Sequence, residues 1–361
     1  MLVLPDKVRL DASTVCQLKC PSCPTARGDV ARTLGTGFLK FDDFKDFIDC
    51  NGGIREIELS NWGEIFLNPE IVKIIEYAFL KHVALYCDAG ANFTTVSDEV
   101  LEALVKYRFR AISCAIDGAS QEVYAIYRRQ GHFEQVIKNI RKLNAIKKKY
   151  NSPVPRLKWQ FIIFGHNEGE ISKARAMAKD LGMQFWPKLS WGAFYTKEDF
   201  SPVKNRPLVR QESRLGAADR SEFLQKYGQG YSQKILCAQM WVEPKINFDG
   251  RIFGCCNNIW GDYGQAFGHK IADWFNNEKL QYTRSMLKGQ KEMRADIPCS
   301  SCAHYHFMRD SGRWMLERDI VISRMLFKFR NSLQNIMYLS LFLKGLSIFN
   351  PGRSKNNSGE K

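Results

Sequence analysis

Short β-rich runs alternate with helical segments over the first half of the chain, and this alternation limits the possible folds most strongly. The runs begin near Val8, Arg55, Val83, Arg110, Leu157 and Gln184. Between them, apolar residues recur at helical spacing, as in residues 69–81 and 133–150. Such alternation is typical of strand–helix units around a parallel sheet. We therefore predict an α/β fold of six units, arranged as a partial or full barrel or as a doubly wound sheet.

The alternation ends after about Lys188, and the rest of the chain differs in composition. The first domain is predicted to cover residues 1–200, and the Pro-, Arg- and Gly-rich stretch 201–234 is predicted to be a linker or capping loop. Residues 235–305 hold five of the 11 cysteines and show little helical periodicity. This pattern is typical of a small domain that is held together by metal. Residues 306–361 form the last predicted unit, a tail.

Charge and cysteine content narrow the class of protein. Lys and Arg number 53 against 38 Asp and Glu, and the resulting charge of +15 suits nucleic acid, an anionic membrane surface or acidic substrates. The apolar run before Pro5 is too short for a signal peptide, so we predict a cytoplasmic protein. In that reducing compartment, cysteines serve as metal ligands or buried apolar residues more often than as disulfides.

The first group of cysteines follows the first predicted strand as C-Q-L-K-C-P-S-C. Cys16, Cys20 and Cys23 lie on one predicted loop. Three thiolates can hold three corners of a four-iron cube and leave the fourth iron open, whereas a structural zinc ion normally takes four protein ligands. The alternative is a zinc site that a distant His or Cys completes.

At these residues the sequence resembles the radical S-adenosylmethionine (radical SAM) superfamily, and the resemblance extends over about residues 8–305. The resemblance implies a [4Fe-4S] cluster whose open iron binds S-adenosylmethionine, in a partial (β/α)6 TIM-like barrel. The family's Gly-Gly-Glu turn after the second strand corresponds here to W-G-E. Gly63 and Glu64 are thereby expected to bind the methionine amino group, with the backbone at Gly63 close to the cofactor.

The segment after the fourth strand also resembles the family. There a strand hydroxyl and a later arginine contact the cofactor's ribose and carboxylate. Arg128 stands at the arginine position, and Ser113 is expected to replace the usual serine, because that position is Ala115 here. Asp117 precedes a glycine, and Asp-Gly is typical of a turn.

A second group of cysteines resembles the family's auxiliary-cluster module called twitch, a shortened relative of the SPASM domain. The match is to a C-x9-15-G-x4-C element with Gly250, followed by C-x2-C. It implies one auxiliary [4Fe-4S] cluster; a zinc ribbon is the alternative. Cys256 could compete for the same iron, and three other cysteines are expected to be buried. The four implied ligands are Cys237, Cys255, Cys299 and Cys302; the three buried residues are Cys50, Cys87 and Cys114.

The resemblance implies an iron-sulfur oxidoreductase that cleaves S-adenosylmethionine to a 5′-deoxyadenosyl radical and abstracts a hydrogen atom from its substrate. An auxiliary cluster that accepts an electron favours a net dehydrogenation, with epimerisation as another outcome, of a small carbohydrate- or aminocyclitol-like molecule. An external one-electron reductant, such as a flavodoxin or ferredoxin, is expected as a partner. The alternatives are maturation of a ribosomally made peptide and, in another class, a zinc-dependent nucleic-acid-binding protein. The latter is less favoured because the basic residues are dispersed.

The tail is predicted to contain a basic amphipathic helix over residues 322–349. This helix is too short in its apolar stretch to span a bilayer. It suits packing on its own barrel or a second copy, peripheral docking on a membrane surface, or a partner protein. The predicted apolar stripe consists of Met325, Leu326, Phe329, Leu333, Ile336, Met337 and Leu343.

Overall fold

A computed structural model describes residues 4–192, 197–213, 215–228, 230–231 and 233–329 of the chain. Within these ranges, eight strands join in one sheet in the order β6-β5-β4-β3-β2-β1-β7-β8, and the neighbours from β6 to β7 are all parallel. The predicted α/β class and all six predicted strand positions are confirmed. The strands are β1 (Lys7–Leu10), β2 (Glu56–Glu58), β3 (Ala84–Ala91), β4 (Ala111–Ala115), β5 (Arg156–Ile163), β6 (Gln184–Leu189), β7 (Lys245–Ile246) and β8 (Ile252–Gly254).

Fourteen α-helices and three short 3-10 helices are present in the described ranges. Side-chain caps fix several of their starts; Ser97, for example, accepts a hydrogen bond from the Val100 N–H. The two helices that the periodicity predicts most clearly are confirmed. The helices are α1 (Asp29–Thr33), α2 (Phe41–Cys50), α3 (Ile71–Leu80), α4 (Asp98–Lys106), α5 (Gln121–Tyr127), α6 (Phe133–Lys149), α7 (Ile171–Asp180), α8 (Arg206–Glu212), α9 (Arg220–Tyr227), α10 (Gln233–Val242), α11 (Ile271–Trp274), α12 (Glu278–Leu287), α13 (Ala303–Ser311) and α14 (Glu317–Phe329).

Strands β1 to β5 are largely buried on both faces, which explains their apolar runs, whereas the edge strand β6 is half-buried. All five residues of β4 are buried. Ile112 and Cys114 belong to the apolar core that the helices cover, whereas Ser113 and Ala115 face a central cavity. The period of two along a strand therefore separates core residues from candidate site residues.

The cysteine-rich C-terminal part joins the sheet through β7. This strand pairs parallel with β1, and β8 pairs antiparallel with β7. The ion pair between Lys245 Nζ and Asp11 Oδ2 (3.2 Å) is fully buried between the two parts. The two cysteine-bearing regions therefore share one sheet.

Two of the expectations for the C-terminal half are wrong. The predicted linker 201–234 contains α8, α9 and the start of α10, because its Pro and Gly mark helix ends. Pro207 lies in the first turn of α8, and Gly228 ends α9 in the left-handed conformation. Residues 235–305 are also more helical than predicted, since they include most of α10 together with α11 and α12.

The described part of the tail, α14, packs on α10. Lys7 Nζ donates to the Phe327 carbonyl (2.6 Å), and Lys234 pairs with Asp319 (2.7 Å). Leu326 is buried as predicted, but Met325 is 57% exposed and does not belong to the buried face. Residues 330–361, with Leu333, Ile336, Met337 and Leu343 of the predicted stripe, lie outside the described residues. The helices of the described ranges are all too short or too polar to traverse a bilayer.

Candidate functional site

A cavity of about 370 Å³ lies where β1 to β6 end, with α10 and the loop after β8 forming part of its wall. This is the edge at which parallel α/β barrels carry their active sites. Residues from both halves of the chain line it, including all predicted cofactor residues and the first three cysteines. These lining residues are Cys16, Cys20, Cys23, Gly63, Glu64, Ser113 and Arg128.

The first three cysteines lie on the loop that follows β1. The Cys23 N–H donates to the Cys20 carbonyl (3.1 Å), which folds the second half of the loop into a turn. Burial, with a smaller effect of the Glu64 carboxylate, raises the pKa of Cys16 to about 12, and burial raises the pKa of Cys20 to about 11. These thiols are thus protonated in the metal-free chain and must lose their protons when they bind a metal.

Arg128 lies next to this loop. Its Nη1 is 3.8 Å from Cys20 Sγ, and its Nε donates to Asp117 Oδ2 (2.6 Å). Asp117 is fully buried and also accepts a hydrogen bond from the Ile162 N–H (2.6 Å), so it holds the arginine against β5. Burial raises the pKa of Asp117 and the charge of Arg128 opposes this increase. The predicted role of Asp117 as a turn residue is therefore incomplete.

Glu64 is a buried carboxylate that joins two loops at the cavity. It accepts hydrogen bonds from the Phe66 N–H (3.1 Å) and the Asn92 N–H (2.6 Å). Burial raises its pKa to about 7, although both hydrogen bonds favour the charged form. Glu64 thus contributes to the shape of the cavity wall as well as to its charge.

The structure explains the need for glycine at position 63 differently from the sequence analysis, which attributed it to the cofactor. A Cβ atom at this position would lie 2.1 Å from the Ser13 carbonyl oxygen and 2.8 Å from the Thr14 nitrogen. These contacts are with backbone atoms of the loop after β1, so a side chain cannot be accommodated without moving that loop. Glycine is required because two loops pack closely, independently of any cofactor.

Ser113 lines the cavity on the same strand face as Ala115, as expected. Its hydroxyl donates weakly to Asp88 Oδ1 (3.5 Å), and the same oxygen accepts from Lys158 Nζ (2.9 Å). Asp88 and Lys158 are site residues that the sequence motifs did not indicate. Their signal is a charged residue inside an otherwise apolar parallel strand.

The second group of cysteines is brought together below the cavity wall. Cys237 is on α10, Cys255 follows β8, and Cys299 and Cys302 both precede α13. Burial raises the pKa of Cys237 far above its usual value, and the charges of the other three raise it further. Tyr263 Oη lies 3.3 Å from Cys299 Sγ, within hydrogen-bonding distance.

The remaining cysteines differ from one another in position. Cys256 lines the cavity, whereas its neighbour Cys255 does not. Cys87 and Cys114 are buried as expected, but Cys50 is exposed at the end of α2, so the expectation for Cys50 is wrong. Among the described residues, no three Cys, His, Asp or Glu side chains converge closely enough to hold a single metal ion. Thiolates of a four-iron cube bind different irons and need no such convergence.

The comparison with protein families first defines the class of this domain. Residues 12–172 match the Radical SAM superfamily, so this part of the chain is a radical SAM domain. The superfamily implies a [4Fe-4S] cluster and S-adenosylmethionine. The three thiols on one cavity-lining loop, with a guanidinium beside one of them, fit such a cluster.

Individual relatives share parts of the chain. An AdoMet-dependent heme synthase of Methanosarcina barkeri is 27% identical over 180 residues, which are 49% of this chain and 48% of that protein. The chain thus spans about half the length of this curated relative. Streptococcus suis SuiB bound to S-adenosylmethionine has a TM-score of 0.60 at 12% identity. The match covers 84% of this chain and 72% of the SuiB chain. Histidine-tagged anSMEcpe with bound AdoMet has a TM-score of 0.55 at 13% identity. The match covers 95% of this chain and 97% of the anSMEcpe chain. These two structures share the fold.

Proposed function

We propose that this chain is a radical SAM oxidoreductase with two four-iron clusters that acts on a small molecule. The observation that carries this proposal is the composition of one cavity. Its wall contains the three cysteines after β1 together with Glu64 and Arg128, and it also contains Cys256, the neighbour of a second cysteine group. A substrate in this cavity would contact both regions.

In this proposal, Cys16, Cys20 and Cys23 bind three irons of the first cluster and leave the fourth for S-adenosylmethionine. Bound there and reduced, the cofactor supplies a carbon radical that can remove a hydrogen atom from a substrate. Arg128 places a positive charge 3.8 Å from Cys20 Sγ, which favours the electron-rich state of the site. Glu64 fixes the backbone at Phe66 and Asn92 and offers its carboxylate to the methionine ammonium.

The second cysteine group is proposed to hold an auxiliary [4Fe-4S] cluster. Cys237, Cys255, Cys299 and Cys302 can fill all four corners, which leaves no iron open for substrate and favours electron transfer. The hydroxyl of Tyr263 beside Cys299 Sγ is suited to tune its reduction potential, since hydrogen bonds to cluster sulfurs do so. An electron acceptor beside the cavity favours a net dehydrogenation over epimerisation.

The size of the cavity favours a small substrate. In this proposal its volume of about 370 Å³ also has to accommodate the first cluster and S-adenosylmethionine, which leaves little room for a large substrate. Peptide maturation is the second candidate, because SuiB shares the fold and has been crystallised bound to a precursor peptide, SuiA. The described tail helix packs on α10, which supports a role within the protein over docking on a membrane. A cytoplasmic location and an external one-electron reductant remain part of the proposal.

The test is anaerobic reconstitution of the full chain, with iron, sulfide and EPR analysis. We expect about eight irons in the wild-type protein and about four in the Cys16→Ala/Cys20→Ala/Cys23→Ala variant. S-adenosylmethionine should perturb the EPR signal of the reduced wild-type protein alone, and only that protein should form 5′-deoxyadenosine. Zinc in place of iron, or no 5′-deoxyadenosine from a fully reconstituted protein, would overturn the proposal.

A further inference from the structure

The cavity carries more positive than negative side chains. Among the described residues that line it, five are cationic and two are carboxylates. The cations are Arg9, Arg128, Lys158, Lys188 and Arg220, and the carboxylates are Glu64 and Asp88.

Two of these cations pair with carboxylates that do not line the cavity. Arg9 pairs with the buried carboxylates of Glu58 (3.7 Å) and Glu243 (3.3 Å). Arg128 pairs with Asp117 (2.6 Å) beside the first cysteine loop. We call the other three cations the cationic wall: Lys158, Lys188 and Arg220.

Two residues of the cationic wall, Lys158 and Lys188, lie on strands at the opposite end of the sheet order from the hairpin of β7 and β8. Lys158 is on β5 and Lys188 is on the edge strand β6, while the first cysteine loop follows β1. Three strands separate β5 from β1 in the sheet. Lys158 pairs with Asp88 of β3, and Lys188 Nζ donates to Gln160 Oε1 of β5, so a neighbouring side chain holds each ammonium group at the cavity.

Arg220 begins α9, and its contacts include a backbone carbonyl and two aromatic rings. Its Nε donates to the Ser190 carbonyl (2.6 Å), and its guanidinium lies 4.3 Å from the Trp191 ring centroid and 4.7 Å from that of Tyr231. Both rings also line the cavity, as does Trp186 on β6. Positive charge and aromatic surface are therefore combined in one part of the site, an arrangement suited to a ring that carries an acidic group.

We infer that the substrate is an anionic small molecule whose phosphate or carboxylate group binds Lys188 and Arg220 while its ring or apolar body packs on the neighbouring aromatic side chains. This inference rests on the proposed function and names its substrate class. An amino-substituted cyclitol is cationic at neutral pH and would meet like charge on this wall. Acidic or phosphorylated sugars fit better within the same size class.

The experiment uses the reconstituted full chain and four probes of one ring type. Glucose 6-phosphate and glucuronate supply the two anionic groups, glucose is the neutral control, and glucosamine is the cationic control. Binding is followed by calorimetry and by quenching of tryptophan fluorescence. We expect at least one anion to bind on the order of tenfold more tightly than glucose and glucosamine, and to weaken as salt increases.

Substitutions of Lys188 and Arg220 test whether these two side chains bind the anion. Lys188→Met and Arg220→Gln should each weaken binding of that anion on the order of tenfold, since each removes one charge-assisted contact. Lys179→Met, which removes an exposed lysine of α7, should leave it unchanged. If Arg220→Gln does not fold, Lys188→Met alone decides, because it leaves the contacts of Arg220 with Ser190 and the rings in place.

The outcomes separate this inference from the proposed function. Anion binding that depends on Lys188, in a protein that forms no 5′-deoxyadenosine, would support the inference while the proposed activity fails. Normal 5′-deoxyadenosine formation, with no anion bound at concentrations up to about 10 mM or with glucosamine bound as tightly, would overturn the inference alone. An anion whose affinity is the same in Lys188→Met would also overturn it.

Discussion

Gly63→Ala tests whether close packing of two backbone loops forms the cofactor side of the cavity. The added Cβ would lie 2.1 Å from the Ser13 carbonyl oxygen, 2.5 Å from the Ser13 carbonyl carbon and 2.8 Å from the Thr14 nitrogen. No flexible side chain can move aside, so the loops must separate. Overpacking of this kind typically costs about 1–3 kcal/mol, and we expect about 3 kcal/mol because all three neighbours are backbone atoms. The hydrogen bond from the Glu64 N–H to the Val15 carbonyl (2.8 Å) would be strained by the same movement.

The matched control is Gly52→Ala, in an exposed turn where an added Cβ has no neighbour within 4 Å. It should change the free energy of unfolding by less than about 0.5 kcal/mol. Urea midpoints measured on anaerobically reconstituted protein give the stability difference, and calorimetry gives the affinity for S-adenosylmethionine. We expect Gly63→Ala to weaken that affinity on the order of tenfold or more, because the displaced loop carries the cysteines. Equal stability of the two variants, with wild-type cofactor affinity in Gly63→Ala, would refute the packing argument.

Three further predictions follow from the buried groups. Cys255→Ala should lose about half of the iron, whereas Cys256→Ala should retain it, because the Cys256 side chain lines the cavity. Equal iron losses in the two variants would indicate that Cys256 is a ligand. Asp117→Ala should destabilise the fold by about 3 kcal/mol in urea titrations, because it leaves the buried Arg128 without this partner, and a wild-type midpoint would contradict that role. Iron uptake by the metal-free chain should accelerate between about pH 7 and pH 9. Burial raises the pKa of Cys16 to about 12, so the thiolate fraction increases about tenfold with each pH unit in this range. A pH-independent rate of iron uptake would show that deprotonation does not limit assembly.

The parallel sheet could be predicted because most of its strands are buried on both faces and therefore appear as apolar runs in the sequence. The helices of residues 201–234 could not be predicted as easily. Pro207 and Gly228 are typical of loops, but they are equally typical of the first turn and the end of a helix. The choice between these roles depends on whether the residues between them find a core, and Phe223 of α9 does so by being fully buried.

The candidate site could likewise be predicted only in part from the sequence. The spacing of the cysteines is local information, and the structure places the first three on one loop that lines the cavity. Arg128 lines the cavity beside this loop, but the sequence indicates only a turn for its partner Asp117, because the pairing depends on how α5 ends relative to β4. The cationic wall was missed since Lys188 and Arg220 come from separate elements, and neither has a sequence pattern that indicates a shared site.

The pairing of β7 with β1 explains how one cavity can involve both cysteine groups. The Asp11 N–H donates to the Ile246 carbonyl (3.0 Å) and the Arg9 N–H donates to the Pro244 carbonyl (3.0 Å), so the strand that leads into the first cysteine loop is fixed to the hairpin that leads to Cys255 and Cys256. A displacement of this hairpin would therefore move the second group relative to the first. Since electron transfer between a substrate and a cluster depends on their separation, this shared sheet is the feature that would keep the proposed oxidation efficient, and the buried pair of Lys245 and Asp11 strengthens it.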